Sequence, residues 1–268
     1  MRLPSAERGK YMFQNTYPVF EAKRLLKKDM LENLRDFPRN LFGLQYQNYS
    51  DGILCGCVVE GREAGFKILP GILCYKGIPY FLNEPFQVSC MAEGKQTYIK
   101  VHFWDKTIGN SGEEYSTQIM VDEEPPHAGQ ELELGRFKLQ PGARLRSEYV
   151  DFYDYETEFD TVNRIYAPYA APDHPSIWPQ ICRCFAGELL KCRIAEPWDS
   201  AFCLGCLQLK EAMPYEAVRA YLNMRLKQDQ EYTNAQIYGA LKRILRENTG
   251  RRVEPEQSYR RDGTLLML

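Results

Sequence analysis

Six short segments between Gly52 and Trp104 decide the fold: GILCGCVV (52–59), FKILPG (66–71), ILCYKG (72–77), IPYFL (78–82), FQVSC (86–90) and TYIKVHFW (97–104). Each is a β-type run. Each is cut from the next by turn chemistry: EGREAG, Pro70-Gly71, Lys76-Gly77, NEP and AEGKQ. Short strands with close Gly/Pro punctuation read as an antiparallel meander in a sandwich or a barrel-like domain. The last run alternates, with Ile99, Val101 and Phe103 on one face and Tyr98, Lys100, His102 and Trp104 on the other. Cys55 and Cys57 are two apart on a strand and are expected on one face. YSTQIMV (115–121) and ELELGRFKLQ (131–140) continue the sheet, which places the β domain at 51–146.

Upstream, residues 1–50 read as an irregular arm plus one helix. Leu26, Met30, Leu34 and Phe37 fall near helical spacing, and Pro38 is expected to end the pattern. Downstream, 147–177 reads as an acidic, Pro-rich connector and domain boundary. Asp154, Glu156, Glu158 and Asp160 alternate with Tyr155, Thr157 and Phe159, which is strand periodicity, before Pro168, Pro172, Pro175 and Pro179 are expected to forbid regular structure. Residues 178–250 form an α-helical domain of four candidate helices. The clearest is TNAQIYGALKRILRENTG, where Thr233 and Gln236 make a capping box and Gly250 a stop. Residues 251–268 are a polar tail with an apolar tip. The class is α+β: an N-terminal helical arm, an antiparallel β-sandwich or barrel-like domain, and a C-terminal α-helical domain.

The composition agrees. In 268 residues, 44% are hydrophobic and 26% charged, which excludes a wholly disordered or low-complexity chain. The net charge of −2 hides a polarity: residues 111–160 hold thirteen Asp/Glu against four Lys/Arg, while residues 1–50 carry nine Lys/Arg against five Asp/Glu. An acidic middle argues against general nucleic-acid binding, which needs a basic face. It suits contact between copies, docking on a basic partner, or simply a solvated acidic face. Met1–Lys10 lacks an apolar core, so no signal peptide is expected, and no apolar run is long enough for a membrane span. Nine cysteines, an odd number, fit a reducing cytoplasm or incorporation into a particle assembled there.

Catalytic motifs are wanting. There are three histidines, His102, His127 and His174, and neither HExxH nor GxSxG is present. Gly94-Lys95 lacks the earlier glycine and the following Ser/Thr of a phosphate loop. Cys203 and Cys206 form one CxxC, with Cys182 and Cys184 upstream. In apolar helical surroundings these read as core thiols, with a zinc or redox site as the alternative. The ladder Asp151, Asp154, Glu156, Glu158 and Asp160 beside Tyr149 has three readings: a solvated edge strand, a protein-contact surface or a cation site.

One pattern goes beyond composition. Leu31 to Leu34, then YSDGILCG (49–56), FKILPGI (66–72) and YKGIPY (75–80) resemble appendage and baseplate proteins of bacteriophage tails and related contractile injection particles. There a short helical arm precedes a "G-I-x-x-G" strand, an "I-x-P-G-I" strand and a "G-x-x-Y" hairpin. Pro70-Gly71 supplies a tight turn and Gly77 a positive φ. The resemblance spans about residues 25–105. It implies a structural protein, not an enzyme, that acts by protein contacts with itself or other particle components and is an oligomer. No cofactor, nucleic acid or membrane is implied. The alternative is a cytoplasmic binding module with a cysteine-based zinc or redox site in the helical domain.

Overall fold

The computed structural model describes residues 15–23, 25–62, 65–89, 94–109, 112–192 and 196–249. The first fourteen residues, Cys90, Ser111, Gly250 and the expected tail at 251–268 lie outside the described residues. The chain forms two compact units, 1–47 and 48–268.

In the first unit an extended stretch leads into α1 (Lys28–Gln45). Pro38 does not end this helix but sits inside it. Proline removes one backbone N–H, and flanking turns can carry the helix past that gap. Leu41 and Leu44 therefore join the helix that the spacing placed only up to Phe37.

The second unit opens with the strands β1 (Gly52–Gly56), β2 (Val59–Arg62), β3 (Gly65–Ile68), β4 (Gly71–Tyr75), β5 (Ile78–Leu82) and β6 (Phe86–Val88). It continues with β7 (Gln96–Phe103), β8 (Thr107–Gly109), β9 (Gly112–Glu114), β10 (Thr117–Asp122) and β11 (Glu131–Lys138). These make three-stranded antiparallel sheets in the orders β1-β4-β5, β2-β3-β6 and β10-β7-β11, with a β8-β9 ribbon. None closes into a barrel among the described residues.

Turn chemistry explains the routing. Tyr75 pairs with Ile78 across Lys76 (φ 50°) and Gly77 (φ 72°). Two positive φ values define the type I′ hairpin whose twist matches its strands. Asp51 Oδ1 accepts the Lys76 amide at 2.6 Å and locks the turn. Pro70-Gly71 makes no hairpin. It passes the chain from β3 in one sheet to β4 in another.

The alternation read for β7 holds. Ile99, Val101 and Phe103 are buried against Leu132, Leu134 and Phe137. The expected shared face of Cys55 and Cys57 does not: Cys55 is exposed and Cys57 buried. A register shift between Ile53 and Cys55, then left-handed Gly56 and Cys57, breaks the period of two.

The acidic stretch 151–160 is not a strand. It folds through a 3-10 turn at Tyr153–Glu156, because side-chain carboxylates capture nearby amides: Asp151 Oδ1 accepts from Tyr153 N at 2.8 Å and from Asp154 N at 3.0 Å. Residues 161–177 carry no regular strand but are packed. They are tied to the preceding β region by the isolated bridges Arg136–Asn163, Arg146–Thr161 and Ile53–Tyr169. Val162, Ala167, Tyr169 and Ala171 enter the sheet core, and Ile165 and Ile177 the helical core. Trp178 packs against both.

Four helices follow: α2 (Pro179–Leu189), α3 (Pro197–Leu207), α4 (Tyr215–Leu226) and α5 (Asn234–Thr249). The capping box forms as read. Gln236 Oε1 accepts the Thr233 amide at 2.8 Å, and Thr233 Oγ1 accepts the Gln236 amide at 3.3 Å. Ile237, Leu241 and Ile244 of α5 are wholly buried, each contributing about 1.5–3 kcal/mol.

Candidate functional site

The acidic residues singled out from sequence have intrachain partners. Arg146 grips Asp154 in a bidentate pair. Asp154 also accepts from Thr157 Oγ1 at 2.7 Å and from the Val150 amide at 2.9 Å. The Arg146 hydrogen bonds hold the Asp154 carboxyl well below the usual carboxylate range. Glu156 pairs with Lys242 of α5 at 2.6 Å, and Glu158 with Lys138 of β11. Asp160 Oδ1 accepts the Gln140 amide at 2.9 Å. Tyr149 donates its hydroxyl to Val162 O at 2.6 Å and stacks on Tyr155 at 4.2 Å. Thus Asp154, Glu156, Glu158 and Asp160 turn toward neighbouring elements of their own chain, while Asp151 caps the local turn.

The cysteines lie in the helical core. Cys182, Cys203 and Cys206 are wholly buried and Cys184 partly so. Burial and nearby Asp199 push the Cys203 thiol up to about 12. Burial and Glu188 do the same to Cys184, also to about 12. A hydrogen bond with Cys182, then burial, raises Cys206. Metal ligation and nucleophilic attack both need the thiolate, and these surroundings oppose it. Among the described residues no three His, Cys, Asp or Glu side chains converge as metal ligands.

Three charged clusters organise the 48–268 unit. Lys100 Nζ, 1% exposed, meets Asp122 at 3.1 Å, Glu131 at 3.2 Å and Glu124 O at 3.1 Å. Glu131 also meets His102 Nδ1 at 3.2 Å and accepts the His127 amide at 2.8 Å. Burial pushes the Glu131 carboxyl up, but the His127 amide and the Lys100 and His102 side chains prevail and hold it low. In the helical core Asp199 is wholly buried, accepting from Tyr221 Oη at 2.8 Å and Arg225 Nε at 3.1 Å. Arg164, 1% exposed, lies 4.2 Å from the Trp178 ring and donates to Tyr169 Oη at 2.6 Å. Each ties strands, helices or the 161–177 stretch together.

Two of the recesses among the described residues have aromatic walls. One, of about 470 Å³, is walled by Tyr75, Tyr80, His102, Trp104, Lys106 and Tyr115. It is half-open and aromatic, with Tyr75 stacked on Phe103 at 3.9 Å. The other, of about 360 Å³, lies in the 1–47 unit between the extended stretch (Tyr17, Pro18, Phe20) and α1 (Leu34, Phe37, Pro38).

That unit holds the feature sequence reasoning missed. α1 has no buried residue. Leu25, Leu26, Leu31, Leu34, Phe37, Leu41 and Leu44 stand 49–79% exposed. Scattered apolar residues are normal on a surface, but a contiguous helical face marks an interaction site. The signal was present: the apolar spacing runs on through Pro38 to Leu41 and Leu44.

No family model matches the chain, and no curated protein does. Solved structures give distant likenesses. A crystal structure of TssK aligns with a TM-score of 0.36 at 7% identity, covering 87% of this chain and 71% of that one. A cryo-electron-microscopy structure of the TssK-TssF-TssG baseplate subcomplex of the type VI secretion system aligns with a TM-score of 0.38 at 8% identity, covering 88% and 100%.

Proposed function

We propose that the chain is a structural subunit of a phage-tail-like particle or prophage baseplate, working by protein–protein contacts with itself or other particle components. The observation that supports this reading is the 1–47 unit, an 18-residue helix with no buried residue and a continuous apolar face. Such a face in water is an aggregation hazard unless an assembly covers it. No helix among the described residues is long and apolar enough to cross a membrane, so bilayer insertion does not account for it. The kind of particle comes from the strand and turn pattern of residues 49–80 described above. Residues 48–268, which hold both hydrophobic cores, are the body such an arm would anchor.

Density-gradient sedimentation of a lysate from the source cells tests this. The chain should travel with a particle far heavier than its own 31.2 kDa, and a chain lacking residues 15–47 should leave that fraction. A chain found only at its own mass overturns the reading. Equimolar zinc in the purified protein would move the assignment to Cys203 and Cys206.

A further inference from the structure

We infer that α1 is a self-association element: its seam Met30, Leu34, Phe37, Leu41 and Leu44 packs against the same helix of a second copy of this chain. The inference rests on the assembly reading and names the surface and its occupant.

Three observations carry it. First, the seam residues follow one another at intervals of four, three, four and three. That is a period of 3.5, the a/d pattern of a left-handed coiled coil, with Leu34 and Leu41 at a and Met30, Phe37 and Leu44 at d. Second, the described residues leave the face largely open. Leu34 is 57% and Phe37 49% exposed, although Tyr17 of the extended stretch approaches Phe37 with ring centres 6.5 Å apart.

Third, the charges select the partner. Lys28, Asp29, Glu32, Arg35, Asp36 and Arg39 all fall at b, c and f, away from the seam. Lys28 and Glu32 pair within the helix at 3.3 Å, as do Arg35 and Asp36 at 2.6 Å. The flanking e and g positions hold Leu31, Pro38, Asn33 and Asn40, which are neutral. A coiled coil chooses a different partner through e/g charges, and α1 offers none. Two copies of Lys28–Gln45 bring no like charges together at e and g. The polar face carries three bases and three acids, so it also lacks the basic excess that draws a helix to an anionic bilayer. Pro38 at e lies beside the seam and displaces no knob.

The test uses the full chain in size-exclusion chromatography with light scattering over about 1–100 µM, because association obeys mass action. The wild type should show a mass that is a multiple of 31.2 kDa. The variant Leu34→Glu/Leu41→Glu should fall to the single-chain mass, with an unchanged melting transition for the 48–268 unit. So should Leu34→Lys/Leu41→Lys. An equimolar mixture of the two variants should recover the assembled mass through opposite charges in the seam. A wild type that is single-chain throughout overturns the inference, as does a Glu variant that keeps the wild-type mass. The particle sedimentation above still decides the assembly reading in both cases.

Discussion

Replacing Lys100 with Met should be among the most damaging single changes in the sheet region. Lys100 lies on the polar face of β7 yet is 1% exposed. An ammonium has three N–H donors, and three oxygens receive them, from Asp122, Glu131 and Glu124. Methionine keeps the stem and the volume but removes the charge. The Glu131 side chain, 3% exposed, is then left buried with only His102 and the His127 amide. Removing one member of a buried ion pair costs about 3–5 kcal/mol, because the other charge stays desolvated. At roughly 2–4 °C per kcal/mol for a body of this size, the melting temperature should drop by about 6–20 °C.

The pH dependence tests the cause. In the wild type the Glu131 carboxyl is held low, so its contribution is present above its unfolded pKa of about 4.3 and fades as pH falls below it. In Lys100→Met burial dominates and raises that carboxyl. The deficit should therefore be largest near neutrality and shrink toward pH 4, where Glu131 takes up a proton. Adding Glu131→Gln, which keeps an acceptor for the His127 amide, should restore at least half of the loss at pH 7. Urea unfolding at several pH values reads all three effects. A cost below about 1 kcal/mol, or a deficit that does not vary between pH 4 and pH 8, refutes the argument.

Further changes should separate other causes. Asp154→Asn breaks the bidentate pair with half-exposed Arg146 and should cost about 1–2 kcal/mol at pH 7 by chemical unfolding. The wild-type Asp154 pKa is depressed, so its contribution is lost progressively as pH falls below about 4, and the variant's deficit should shrink in step. Gly61→Ala would set a Cβ 1.6 Å from the Leu145 carbonyl oxygen, so it should cost at least about 3 kcal/mol in the same assay. Gly77→Ala meets nothing within 4 Å, and only its φ of 72° opposes it, for about 1 kcal/mol. With a thiol reagent in native buffer, exposed Cys55 should react at once, while Cys182, Cys203 and Cys206 should react only on unfolding.

Legibility followed how local the controlling physics was. The β7 alternation, the Lys76-Gly77 hairpin and the Thr233–Gln236 cap each depend on a few adjacent residues, and each stands where the sequence placed it. Three features did not. Pro38 resides within α1 because the helix tolerates one missing donor. Cys55 and Cys57 separate because a bulge shifts the register. The 151–160 acids leave strand geometry because carboxylates capture amides within their own turn. Of the proposed interaction surface, Met30, Leu34 and Phe37 were visible in the spacing. Leu41 and Leu44 were hidden behind an assumed stop.

By itself the sequence determined the α+β class, the succession of arm, strands and helices, the capping box and the absence of a legible catalytic motif. All of these follow from periodicity and from residue types within one turn of each other. Only the tertiary structure decided that Lys100 is buried, that Asp154 belongs to Arg146, that residues 161–177 are stitched into both cores, and that α1 holds no buried residue. Burial and charge pairing depend on which distant segments meet, and chain order carries no record of those meetings until the chain has folded.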